Sequence, residues 1–139
     1  MSRLDTLEPG FKEKVIELLN KTKLATGRDW ALSDGRRTIA QQNALYAQGR
    51  TKAGKVVTNA KGGQSAHNFG LAADLWPLKN GDFDWGANQN FFRVMADIAQ
   101  ELGLTAGFYF KSIHDAPHVE DPRWKQVQAQ WKEGKVQVA

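Results

Sequence analysis

The sequence contains no cysteine. Disulfides and thiolate metal sites are therefore excluded, and any metal must be held by histidine and carboxylate. No apolar run approaches the ~20 residues needed to span a bilayer, so membrane insertion is not expected. The N-terminus, MSRLDTLEPGFKEK, lacks the apolar stretch of a secretory signal, and export by that route is not expected either. Low-complexity tracts and internal repeats are also missing. What is left is a chain of 139 residues with ordinary globular composition, 41% hydrophobic and 24% charged. That length is enough to bury a real core in one domain, residues 1–139.

The net charge is +4 and the sequence pI is near 9.4. An excess of this kind favours polyanionic surroundings without choosing among nucleic acid, anionic membrane and acidic wall polymer. It also fits a generally solvated basic surface. No recognised nucleic-acid module accompanies it, so no nucleic-acid partner is expected.

Helix and strand signals alternate without a strict βαβ rhythm. Pro9 opens a helix over 9–23 in which Phe11, Val15, Leu18 and Leu19 recur at helical spacing. Residues 29–34 read as a short strand. Thr38 and Gln41 form a capping-box pattern before a second helix that runs through Ala47. Residues 49–66 make a long loop rich in Gly and Lys, and loops of that length in a small domain are either functional or disordered. Residues 71–76 read as a strand. Phe91, Phe92, Met95, Ile98 and Leu102 define an amphipathic helix stopped by Gly103. Strands are expected over 104–110 and 117–120. Asp121 and Pro122 are expected to cap and start a last helix, with Trp124, Val127 and Trp131 packing from one face. Short strands mixed with helices give an α+β fold, a small, mainly antiparallel sheet packed with helices.

All three histidines fall in two short stretches, each rich in carboxylates. SAHNFGLAAD supplies His67 and Asp74, and HDAPHVED supplies His114, Asp115, His118 and Glu120. Two histidines, one carboxylate and an open position make a known catalytic zinc set. Fully extended, the seven steps from His67 to Asp74 span roughly 23 Å, far too much for bonds of ~2 Å to one ion. The chain must fold back between them, and Asn68-Phe69-Gly70 is the place that permits it. Beyond Gly70, Asp74 shares a strand face with Ala72 and Trp76. A lone carboxylate there is costly to bury, and either a metal or a salt bridge from Arg36 or Arg37 removes the cost. Asp115 and His118 would lie on opposite faces of a regular strand. Pro117 interrupts the regularity and lets Asp115 lean toward the same centre. His118 and Glu120 share a face, which makes Glu120 a partner that orients the imidazole. His114 reads as a rim residue.

These stretches resemble the S-x-H-x-x-G-x-A-x-D and D-x-x-H-x-E signatures of the D-Ala-D-Ala metallopeptidase superfamily. Upstream, GRRT (35–38), QNALYAQGRTK (42–52) and VTNAKGGQS (57–65) are similar to phage endolysins that cleave the L-alanyl-D-glutamate bond of peptidoglycan. The likeness covers about residues 30 to 121. It implies a hedgehog/D-Ala-D-Ala-peptidase-like fold and one zinc ion bound by His67, Asp74 and His118. It also implies Asp115 as general base and Arg37 as the cation facing the substrate carbonyl, with Gln42 at a polar active-site position and Ser65 supporting the first ligand. The substrate implied is the peptidoglycan stem peptide. The protein implied is a monomeric catalytic domain without a separate wall-binding domain, made in the host bacterial cytoplasm and acting on the wall after release. Arg36 stands where tyrosine is frequent, and Tyr109-Phe110 replaces an Asp-Trp pair; both changes bear on how the peptide is gripped. The rivals are a D,D-carboxypeptidase or dipeptidase with the same chemistry, and a non-catalytic, zinc-containing wall-binding module.

Overall fold

A computed structural model describes residues 3–139. Helix α1, Pro9–Thr26, runs three residues beyond its expected end. Glu8 accepts from Gly10 N at its start, and Gly27 closes it in the left-handed conformation. Strand β1, Trp30–Asp34, and helix α2, Ile39–Ala47, follow. The Thr38–Gln41 capping box of α2 is present in both directions. The long loop then leads into a 3₁₀ turn, Ala66–Phe69, and strand β2, Ala72–Lys79. Asn80 and Gly81, both at positive φ, turn β2 into the short β3, Asp82–Phe83, as a two-residue hairpin requires. Helix α3 is Gln89–Glu101, and β4 (Thr105–Ala106), β5 (His118–Glu120) and α4 (Trp124–Lys132) complete the order.

Two expected elements are shorter by two residues or more than the sequence pattern indicated. Of residues 104–110 only Thr105–Ala106 is strand, because the chain tightens into a 3₁₀ turn over Gly107–Tyr109. The Gly107 carbonyl there accepts from both Phe110 N and Asp115 N. The last helix starts at Trp124. Asp121 instead closes the turn before it, accepting from Arg123 N at 2.9 Å.

The sheet has the order β1-β2-β5-β4, with β3 on β2, and every pairing is antiparallel. The α+β expectation is met. Phe11, Val15 and Leu18 of α1 join Phe92, Met95, Ala96 and Ala99 of α3 in one core with Ala73, Leu75 and Val119 of the sheet. The alternate residues of β2 and β5, Asp74 and His118, are opposite one another in the register and are therefore on the other face. Helix α4 packs by Trp124 and Trp131 onto Phe69, with ring centroids 6.2 and 5.9 Å away. This is the packing role expected for that face.

Candidate metal centre

His67 is carried by the 3₁₀ turn 66–69. Ser65 caps this turn, its hydroxyl accepting from His67 N at 3.2 Å. Gly70 then reverses the chain at φ +70, the left-handed region that glycine enters without strain. A side chain at residue 70 would also run into the Arg36 guanidinium. This reversal brings Asp74 back beside His67. The β2–β5 register then sets Asp74 against His118.

His67 Nε2 lies 3.4 Å from Asp74 Oδ1, and His118 Nδ1 lies 3.2 Å from the same oxygen. One ligand atom from each of the three residues lies within 4.8 Å of the other two. The outward imidazole nitrogens are engaged elsewhere. His67 Nδ1 is 2.7 Å from the Gly35 carbonyl, and His118 Nε2 is 2.7 Å from Glu120 Oε1. Carbonyl and carboxylate oxygens only accept, so each outward nitrogen carries the hydrogen. Each neutral imidazole thus turns a lone pair inward, toward the other and toward a carboxylate. Three electron-rich atoms facing one centre are unfavourable unless a cation sits among them. Without a metal a proton serves instead. Burial pulls the His118 pKa down, but hydrogen bonds to Asp74 and Glu120 outweigh it and hold the imidazole well above its usual value. Burial likewise pushes the Asp74 carboxyl up, while the two imidazoles hold it well below the usual carboxylate range. Nitrogen and oxygen donors with second partners already placed fit a divalent ion such as zinc.

The other candidate residues surround this centre. Asp115 Oδ2 is 3.8 Å from His118 Nδ1, on a side chain 45% exposed. Partial burial raises its carboxyl pKa. Arg37 Nη2 is 3.8 Å from Asp74 Oδ2, and its backbone N–H donates to the His67 carbonyl at 3.0 Å. Gln42 is fully buried and accepts from Arg37 Nη1 at 3.1 Å while donating to the Ala60 carbonyl at 2.9 Å. Its place is behind Arg37, not in the open site. Glu120 Oε2 also accepts from Trp124 Nε1 at 2.8 Å. Burial raises the Glu120 pKa, but the His118 hydrogen bond prevails and lowers it. His114 sits apart on the rim, its ring nitrogens near the Phe108 carbonyl and Gln89 Oε1. Arg36 turns away to the Thr6 carbonyl, so of the two arginines weighed for Asp74 only Arg37 approaches it.

Two residues outside the sequence-derived set matter here. Asn68, fully buried, donates to the Arg37 carbonyl and accepts from Gly63 N and Ser65 N. It ties the histidine turn to the arginine segment. A polar amide inside the run AHNFGLAA was the visible signal. Asp34, paired to Arg37 at 2.7 Å, had none, since its direction depends on strand register. Beside the centre, a groove of about 450 Å³ runs along Asp115, between Val57, Thr58 and Asn59 of the long loop and Phe110 and Ile113 opposite.

The described fold has known counterparts. The model of the VanY D-alanyl-D-alanine carboxypeptidase family matches residues 5–126. The chain belongs to this family. It is therefore a peptidase, of a family whose members depend on zinc. The peptidoglycan L-alanyl-D-glutamate endopeptidase CwlK of Bacillus subtilis is 40% identical over 122 residues, covering 82% of this VanY-family chain and 72% of the relative. Among solved structures, the L-Ala-D-Glu endopeptidase ChiX of Serratia marcescens matches with a TM-score of 0.63 and 19% identity, over 88% of this chain and 86% of the other. A vancomycin-resistance D,D-pentapeptidase VanY, in complex with Zn(II), matches with a TM-score of 0.61 and 14% identity, over 92% and 79%. At those identities the two structures speak to the fold alone. His67, Asp74, Asp115 and His118 all lie inside the segment matched by the VanY family model.

Proposed function

We propose that this VanY-family chain is a zinc-dependent peptidoglycan hydrolase that cleaves the L-alanyl-D-glutamate amide of the stem peptide, and that it acts as an endolysin on the wall of a host bacterium. The observation that carries the reading is the convergence of His67 Nε2, Asp74 Oδ1 and His118 Nδ1, with Asp115 and Arg37 beside them. The choice of bond is supported by the 40% identity to CwlK. Residues 1–139 act as a single catalytic domain holding one zinc ion on His67, Asp74 and His118.

When bound, zinc supplies Lewis acidity that brings the pKa of a water toward neutrality and polarises a carbonyl. Asp115 accepts the proton of the attacking water and returns it to the departing amine. Arg37 directs its guanidinium at the carbonyl oxygen as negative charge develops there, the kind of contact whose loss costs about 3–4 kcal/mol. Glu120 and the Gly35 carbonyl fix the tautomers of His118 and His67. Ser65 holds the turn that carries His67. Gln42 supports Arg37 from behind. The stem peptide lies in the groove along Asp115, so the long loop forms one wall of the substrate site.

Mass spectrometry of sacculi digested by the zinc-loaded protein, with and without chelator, tests the proposal. New D-glutamate amino termini that disappear with chelator are expected. Release of free D-alanine instead would reassign the chain to D,D-carboxypeptidase chemistry. Zinc retention with no product at all would favour a binding module.

A further inference from the structure

We propose that Asp34 is a positioning residue for Arg37, brought to the site by a bulge in β1; this rests on the role proposed above for Arg37. The register carries the first half of the inference. Leu32 faces Leu75 and Asp34 faces Asp74, so β1 uses two steps where β2 uses one. The additional residue is Ser33, whose hydroxyl bonds to the Asp74 carbonyl at 3.2 Å. A regular ladder would place Ser33 opposite Asp74 and turn Asp34 toward Ala73 and the apolar core, since a one-residue shift reverses every side chain. The bulge instead puts Asp34, Asp74 and His118 in one row across three strands.

Two carboxylates directly opposite one another repel. Arg37 lies between them. Its Nε donates to Asp34 Oδ2 at 2.8 Å, its Nη2 forms an ion pair with the same oxygen at 2.7 Å, and Nη1 donates to Gln42 Oε1 at 3.1 Å. A guanidinium has five N–H bonds in a rigid plane. Two are held by hydrogen bonds, and the ion pair keeps Nη2 beside Asp34. Three remain, one on Nη1 and two on Nη2, and Nη2 stands 3.8 Å from Asp74 Oδ2. The clamp therefore fixes which edge of Arg37 meets a substrate oxygen. Stability is a poor explanation for it. Asp34 is 35% exposed and opens on a cavity of about 610 Å³, and pairs in such settings contribute about 0–1 kcal/mol.

The test combines kinetics with a direct view of the guanidinium in the zinc-loaded protein. Asp34→Ala should lower kcat on sacculi by about 10- to 100-fold, the usual cost of a misplaced group. Zinc content should be unchanged and KM should stay within about twofold. The double variant Asp34→Ala/Arg37→Ala should be no slower than Arg37→Ala alone. Losses that multiply would show Asp34 acting independently and overturn the proposal. In nitrogen-15 spectra the Arg37 Nε–H should exchange slowly in the parent and rapidly in Asp34→Ala; an unaltered signal overturns the clamp. This arm holds even for a protein that cleaves no sacculi, an outcome that would sink the proposed activity and not the clamp. If Asp34→Ala does not fold, Asp34→Asn keeps the volume and should show the same pattern.

Discussion

Asp115 and His67 occupy the same small volume but differ in what their loss should do. Asp115 donates nothing to the three-atom ligand set and is nearly half exposed. Asp115→Asn should therefore fold and keep its zinc while losing about 100- to 10,000-fold in rate, the usual range for a general base. A variant retaining most of its rate in a sacculus assay would remove Asp115 from that role. His67→Ala deletes a ligand atom from a buried centre, and metal analysis after dialysis should find its zinc lost along with its activity. The histidine and aspartate identities were legible in the sequence because three ligand-type residues and a base fell in two short motifs. The partners of the outward nitrogens were only half legible. Glu120 follows His118 at strand spacing, whereas the Gly35 carbonyl reaches His67 from 32 residues away. No local pattern announces such a contact.

Single elements place these side chains through a few close approaches. Gly63, at φ +86, lies under the Trp131 ring of α4, and Gln128 of that helix donates to the Gly63 carbonyl at 2.7 Å. Gly63→Ala adds both backbone strain and a clash, at a cost of about 1–3 kcal/mol. Because Gly63 N bonds to Asn68 within the histidine turn, the same change should weaken zinc binding. Calorimetry and a zinc titration on one preparation would separate the two effects, and unaltered affinity would dissociate α4 from the metal centre. Asp121 does comparable work between β5 and α4. Burial raises its carboxyl pKa, but three hydrogen bonds from Arg123 prevail and hold it below its ordinary value. The folded state thus releases this proton at lower pH than the unfolded chain. The stabilisation is complete above about pH 4 and fades as pH falls through the folded pKa. Asp121→Asn should cost about 1–3 kcal/mol at neutral pH, and denaturation curves of parent and variant should converge in acid. The helices were legible from their periodicity, and α2 from its capping box, whereas the cap expected at Asp121 is not one: α4 starts at Trp124 with no side-chain cap. Residues 104–110 are strand only at 105–106 because the Gly107 carbonyl finds its partners in residues 110 and 115, a closure that periodicity does not encode.

Across the whole molecule, core and metal centre lie on opposite faces of one sheet. Phe11, Leu18, Phe92 and Met95 are buried without help from the ligand atoms. Chelation should therefore abolish activity and lower the melting temperature, since a ligand that binds only the folded state stabilises it. It should leave the far-ultraviolet circular dichroism of the native protein unaltered. Collapse of the helical signal on chelation at room temperature would mean instead that the metal holds the fold. No helix among the described residues is long and apolar enough to cross a membrane, in line with the absence of long apolar runs.

The sequence by itself determined the fold class and the kinds of side chain that could hold a metal. Absent cysteines confined the ligands to histidine and carboxylate, and the periodicities assigned the helices. Gly70 marked the one place where His67 and Asp74 could be folded together. Tertiary structure decided which nitrogen of each histidine faces inward, that Gln42 stands behind Arg37, and that Asp34 joins the row of Asp74 and His118. Each of these depends on register between strands distant in the chain. A single inserted residue, Ser33, moves a carboxylate from one sheet face to the other, and spacing within β1 alone carries no trace of its partner's alignment.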